Sequence, residues 1–162
     1  GESSSAITLS YATGTVKGTS YLGGLVGNST NTILKSHAVG DVIGTGERIG
    51  GLVGQTSSTV TLAYANGDVS GTTYVGGLVG VANGGINRCC SSGNIEGTTA
   101  VGGLVGYLNS TVSNTYAIGS VEGESQVGGL VGEIIKGKSI TNSYIPLSSG
   151  PVFCGFSSTK IM

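Results

Sequence analysis

Apolar side chains in this sequence return about every 26 residues, in short runs broken by glycine or by Asn, Ser and Thr. Neither the 3.6-residue spacing of an amphipathic helix nor a sustained alternation accounts for them. The clearest run is "VGGLVG" at 75–80, 101–106 and 127–132, with "LGGLVG" at 22–27 and "IGGLVG" at 49–54. The Gly-Gly pairs begin at Gly23, Gly50, Gly76, Gly102 and Gly128, in steps of 27, 26, 26 and 26 residues. A fixed period of that length marks a stacked repeat. Other columns keep the same step. One is β-branched (Ile7, Ile33, Val60, Ile86, Val112, Ile140), and four residues later comes a largely aromatic one (Tyr11, His37, Tyr64, Cys90, Tyr116, Tyr144). The extra residue of the second block falls after Gly44, in "GTGERIGG", where an outward bulge is expected.

Glycine at this density opposes a helix, at up to about 1 kcal/mol for each residue. The apolar residues are mostly β-branched, so each block reads as three short strands: "ITLSYA", a Gly-x-Val-x-Gly stretch, and "VGGLVG". Three strands and three turns in one block predict an all-β fold. It is a β-solenoid, or parallel β-helix, of about 26 residues per coil and five to six coils. Crossover geometry makes a right-handed coil the expectation. With coils about 4.8 Å apart, each residue stacks on its counterpart, and a type tolerated once must be tolerated as a column. The Val, Ile and Ala columns then fill a thin core. The paired glycines serve a sharp turn, a positive φ, or a close approach of the opposite wall. Alternation fails inside "VGGLVG", which places a bulge or corner there.

Glycine supplies 32 of 162 residues, and only 9% are charged, against about 25% in ordinary domains. The net charge is −1, and the seven Lys and Arg are scattered singly, which argues against a nucleic-acid partner. No run reaches about 18 apolar residues, so no membrane span is expected. No signal peptide is evident, and the first residue is Gly1, which suits a processed protein or a piece of a longer one. Cys89, Cys90 and Cys154 match neither a disulfide scaffold nor a zinc spacing. They read as small buried residues, with a Cys90–Cys154 bridge as the alternative. The sole histidine, His37, reads as a stacking substitute in the aromatic column, with no partner to orient it for catalysis. No catalytic residue, cofactor or metal is therefore assigned, and the chain is not expected to be an enzyme.

Three surface columns remain. Thr15, Asp41, Asp68, Asn94 and Ser120 suggest turns in which the side chain bonds its own backbone, with a calcium site as the lesser reading. Thr19, Thr45, Thr72 and Thr98 form a hydroxyl-methyl ladder of the kind an ice-binding solenoid displays, although it runs through an apparent turn. Tyr11, Tyr64 and Tyr116, and separately Tyr21, Tyr74 and Tyr107, form aromatic stripes. Facing outward, such stripes grip sugars; facing inward, they are core.

At "YATGTVKGTSYLGGLVG" (11–27) and "YANGDVSGTTYVGGLVG" (64–80) the sequence resembles the GLUG repeat, named for its Gly-Leu-any-Gly core. That core stands here five times as "GLVG", and the resemblance covers residues 6–144. Such repeats occur in large secreted or surface-anchored microbial proteins, including adhesin-like proteins and immunoglobulin A-cleaving peptidases, as accessory rather than catalytic parts. The resemblance implies an extracellular structural or adhesive module, with self-association or neighbouring domains of a longer chain as partners. It carries over no ligand residue. Residues 1–145 are assigned to the coils. Residues 146–162, which hold both prolines and Cys154, form a divergent cap or a docking segment.

Overall fold

The computed structural model describes residues 1–146, which form short strands and turns with no helix among them. Strands are two to four residues long, and every pairing is parallel. Pairs join positions one block apart, as in Val60 with Ile33 and Ile86, or Val79 with Val53 and Val105. The fold is a β-solenoid of about five turns, its strands gathered into five sheets of five or six. Of the assigned cap or docking segment, residues 146–162, all but Pro146 lies outside the described residues, Cys154 included.

One coil carries five strands where the sequence reading expects three. In the second coil they are Ile33–Leu34 (face I), His37–Ala38 (face II), Val42–Gly44 (face III), Glu47–Gly50 (face IV) and Val53–Thr56 (face V). The stretch expected as one strand from Ile33 to Ala38 breaks because Lys35 takes a left-handed φ of 50°. So do Leu9, Leu62, Arg88, Asn114 and Asn142 in the same column. The next residue fastens the corner: Ser36 Oγ donates to the Leu34 carbonyl at 2.9 Å, and Ser10, Cys89 and Ser143 make the equivalent bond. "IGGLVG" breaks between its glycines and its valine, with face IV ending at Gly50 and face V beginning at Val53.

The glycine pairs are there for close approach. None of them has a positive φ. A Cβ on Gly23 would lie 2.6 Å from the Leu52 carbonyl oxygen of the next coil, and one on Gly24 would lie 2.8 Å from the Ala38 Cβ. The third glycine presses faces IV and V together. A Cβ on Gly80 would lie 2.6 Å from the Ile49 amide nitrogen and 2.5 Å from the Gly54 carbonyl oxygen. Two sheets meeting backbone to backbone leave no room for side chains, so the expected thin core is divided in two. Faces I, II and V enclose the larger half, built on the Ile33, Leu52, Val53 and Ala38 columns. Faces III and IV enclose the smaller, built on Val42, Ile49, Val69, Val75, Ile95 and Val101. The extra residue sits between Gly44 and Glu47. Gly44 pairs with Gly18 at a step of 26, whereas Ile49 pairs with Leu22 at a step of 27.

Candidate functional surfaces

Residues that alternate with the core positions point outward, and stacking turns each into a stripe along the solenoid axis. On face II the stripe is aromatic. Tyr11 and His37 stack with centroids 5.5 Å apart and planes 10° apart, and His37 stacks on Tyr64 at 4.6 Å and 6°. Tyr11 is 68% exposed, so the column lies on the outside. Cys90, buried to 7% exposure, takes the place between Tyr64 and Tyr116, and the stack resumes between Tyr116 and Tyr144 at 5.6 Å. His37 thus occupies the stacking place expected of it.

The threonine column runs along the corner between faces III and IV, not on a strand. Thr19, Thr45 and Thr72 are exposed and Thr98 is half-buried. The bulge displaces Thr45 from the line. Gly46 donates its N–H to the Thr19 carbonyl at 2.9 Å and accepts from the Thr72 N–H at 2.9 Å, so it is Gly46 that stands between them. Glu124 continues the column, donating its N–H to the Thr98 carbonyl.

Asp41, Asp68 and Asn94 bond the next coil's backbone rather than their own, which corrects the expected local turn. Asp41 Oδ1 accepts from the Asp68 N–H at 2.9 Å, Asp68 Oδ1 from the Asn94 N–H at 2.7 Å, and Asn94 Oδ1 from the Ser120 N–H at 3.2 Å. Beside them lies a hollow of about 350 Å³ that also touches Glu96 and Glu122. Among the described residues, no three His, Cys, Asp or Glu are placed to hold a metal ion.

A groove between faces IV and V was not foreseen as a site. Tyr21, Arg48, Tyr74, Ala100 and Gln126 all have a left-handed φ, between 52° and 63°. That conformation interrupts the alternation of face IV and swings the side chain towards face V. Arg48 lies over the Tyr21 ring at 4.7 Å, donates from Nη1 to Tyr21 Oη, and donates across the groove to Gln55 Oε1 at 2.8 Å. Tyr74 meets Tyr107 edge-on at 5.2 Å. The tyrosines read as one stripe therefore belong to two facing sheets. The groove has a volume of about 330 Å³ and is lined by Arg48, Gln55, Tyr74, Val81, Asn83 and Tyr107.

Cys89 sits in the corner column beside Ala63, is 2% exposed, and donates to the Asn87 carbonyl at 3.2 Å. Burial pushes its thiol up from an ordinary 9.0 to about 12, so it stays protonated at neutral pH. No described helix is long and apolar enough to cross a membrane. The chain matches no protein-family model, no curated protein and no solved structure.

Proposed function

We propose that this chain is a non-catalytic repeat module of an extracellular or cell-surface protein, acting as a rigid structural or adhesive element. The observation that carries this reading is the continuity of the ladders: all five faces repeat the same register from coil to coil. Such a rod lengthens by adding coils and displays each outward residue as a stripe, which suits a spacer or adhesive stalk. The GLUG resemblance supports the extracellular setting. Ladder strands left without a partner at the end of such a rod would also favour self-association into a filament, or continuation into neighbouring domains. Antibody raised against the chain should label intact, unpermeabilised cells of its source; labelling that appears only after permeabilisation overturns the extracellular reading. Electron microscopy of concentrated protein decides the polymer version, with filaments expected and compact monomers against it.

A second reading, a ligand-binding surface, is favoured by the aromatic stripe that Tyr11, His37 and Tyr64 form on the outside of face II. Ice has less support, since the threonine column follows a corner and is broken at Gly46 and Glu124. Thermal hysteresis measured alongside glycan binding separates the two, and silence in both removes the reading.

A further inference from the structure

We infer that the groove between faces IV and V, and not the exposed aromatic stack, is a binding site for a neutral glycan. The inference rests on the second reading above, that the rod carries a ligand surface, and relocates that surface.

Shape is the first argument. At about 330 Å³ the groove reaches the lower end of the range for small-ligand sites, and it would hold about eleven waters at about 30 Å³ each. The stack on face II runs along the outside of one sheet, with Tyr11 68% exposed, whereas the groove brings two sheets to one ligand. The rings of Tyr74 and Tyr107 meet in the groove at 5.2 Å and 63°, so they offer differently oriented surfaces to one ligand. The C–H faces of a pyranose pack on such rings, as other apolar groups do.

Hydrogen-bonding capacity is the second. Arg48 Nη1 is engaged by Tyr21 and Gln55, but Nη2 makes no hydrogen bond among the described residues. Among the described residues Gln55 Nε2, Asn83 Nδ2 and the Tyr74 and Tyr107 hydroxyls also make none, and Asn83 uses its oxygen to accept from Asn109 Nδ2 at 3.3 Å. These are planar donors and hydroxyls held around an aromatic floor, and they match the mixed donor-acceptor hydroxyls of a sugar ring. Among the described lining residues Val81 alone is aliphatic and is 6% exposed, which offers little to an apolar peptide anchor.

Charge is the third. Among the described lining residues Arg48 alone is cationic, and its Nε lies 3.5 Å from Glu47 Oε1. The cation is locally balanced, which disfavours an anionic ligand and suits an uncharged one. Left-handed backbone at Arg48 and Tyr74 is the device that brings both side chains to the groove.

The test titrates the chain with neutral cello-, xylo-, manno- and chito-oligosaccharides and follows the side-chain and amide NMR signals. At least one probe should bind with a Kd of about 1 mM or below and shift Gln55, Tyr74 and Tyr107. Tyr107→Ala should weaken it at least tenfold, or about 1.4 kcal/mol, and Tyr107→Phe, which keeps the ring, much less. Gln55→Ala, on the solvent side of face V, should weaken binding without loss of the folded spectrum. Tyr11→Ala should leave the Kd unchanged. Shifts confined to Tyr11, His37 and Tyr64 would overturn the groove while leaving a ligand surface standing. Binding of none of the four probes would overturn both.

Discussion

Gly77 illustrates how a single hydrogen in place of a side chain decides this fold. Its φ is not left-handed, so alanine is excluded by contact alone: an added Cβ would lie 2.9 Å from the Ser91 Cβ and closer still to the Gly103 carbonyl oxygen. Gly77→Ala should cost about 3 kcal/mol or more in denaturant unfolding, the upper end of overpacking. Gly14, in the first coil, has nothing within 4 Å of an added Cβ and no positive φ. Gly14→Ala should therefore be neutral, or stabilise by about 0.4–1 kcal/mol through the unfolded chain. Equal losses at both positions would contradict close approach as the reason for glycine. Cys89 gives a second residue-level prediction. Its folded thiol titrates at about 12 against 9.0 unfolded, so the protonated thiol's contribution is complete below pH 9. It is lost as pH rises from 9 to 12, at up to about 1.4 kcal/mol per pH unit. Cys89→Ala, which copies Ala63 of the same column, should remove that alkaline slope from the stability profile. A slope unchanged by the substitution counts against burial of the thiol.

Strands of two to four residues do not stand by themselves, and what holds each is the strand above and below it. Side chains reinforce the ladder at corners. The Asp41–Asp68–Asn94–Ser120 chain of bonds ties four successive coils along face III. Asp68→Ala should lower stability by about 0.5–1.5 kcal/mol, one net hydrogen bond, whereas Asp68→Asn should stay within about 0.5 kcal/mol because Asn94 plays the same part. Indistinguishable losses in the two variants would mean that the side-chain oxygen does not carry the bond. The strands were readable from sequence to the extent that stacking repeats a residue type. Val42, Val69 and Ile95 announce face III because one buried slot serves every coil. The corner residues announce nothing. A left-handed φ is held by Leu9, Lys35, Arg88 and Asn114 in one column, residues with no shared preference for it, because the ladder on either side fixes the backbone. Three expected strands thus became five. The groove was hidden for the same reason: Tyr74 and Tyr107 are 33 residues apart in sequence and meet only because the left-handed turn at Tyr74 aims it at face V.

Across the molecule, the two core halves and the glycine wall between them continue unchanged through the middle coils, where Ile49, Leu52, Val75, Leu78, Val101 and Leu104 are fully buried. Exposure returns in the core columns towards the last described coil, with Val127 at 44% and Ile140 at 40%. Stability should therefore grow with coil number, since each added coil buries its neighbours as well as itself. Duplicating residues 73–98 inserts one regular 26-residue block; it should raise the denaturation midpoint and lengthen the rod by about 4.8 Å in solution scattering. A lowered midpoint would mean that coils are not interchangeable. Everything rests on register between coils, and the leucine column reports it. Leu52 N–H donates to the Leu78 carbonyl at 2.9 Å, Leu78 to Leu104 at 2.9 Å, and Leu104 to Leu130 at 2.8 Å. Scalar couplings transmitted across hydrogen bonds, measured by NMR, should connect each of these amides to the carbonyl 26 residues ahead. Couplings that instead link residues within one block, as a hairpin requires, would contradict the solenoid.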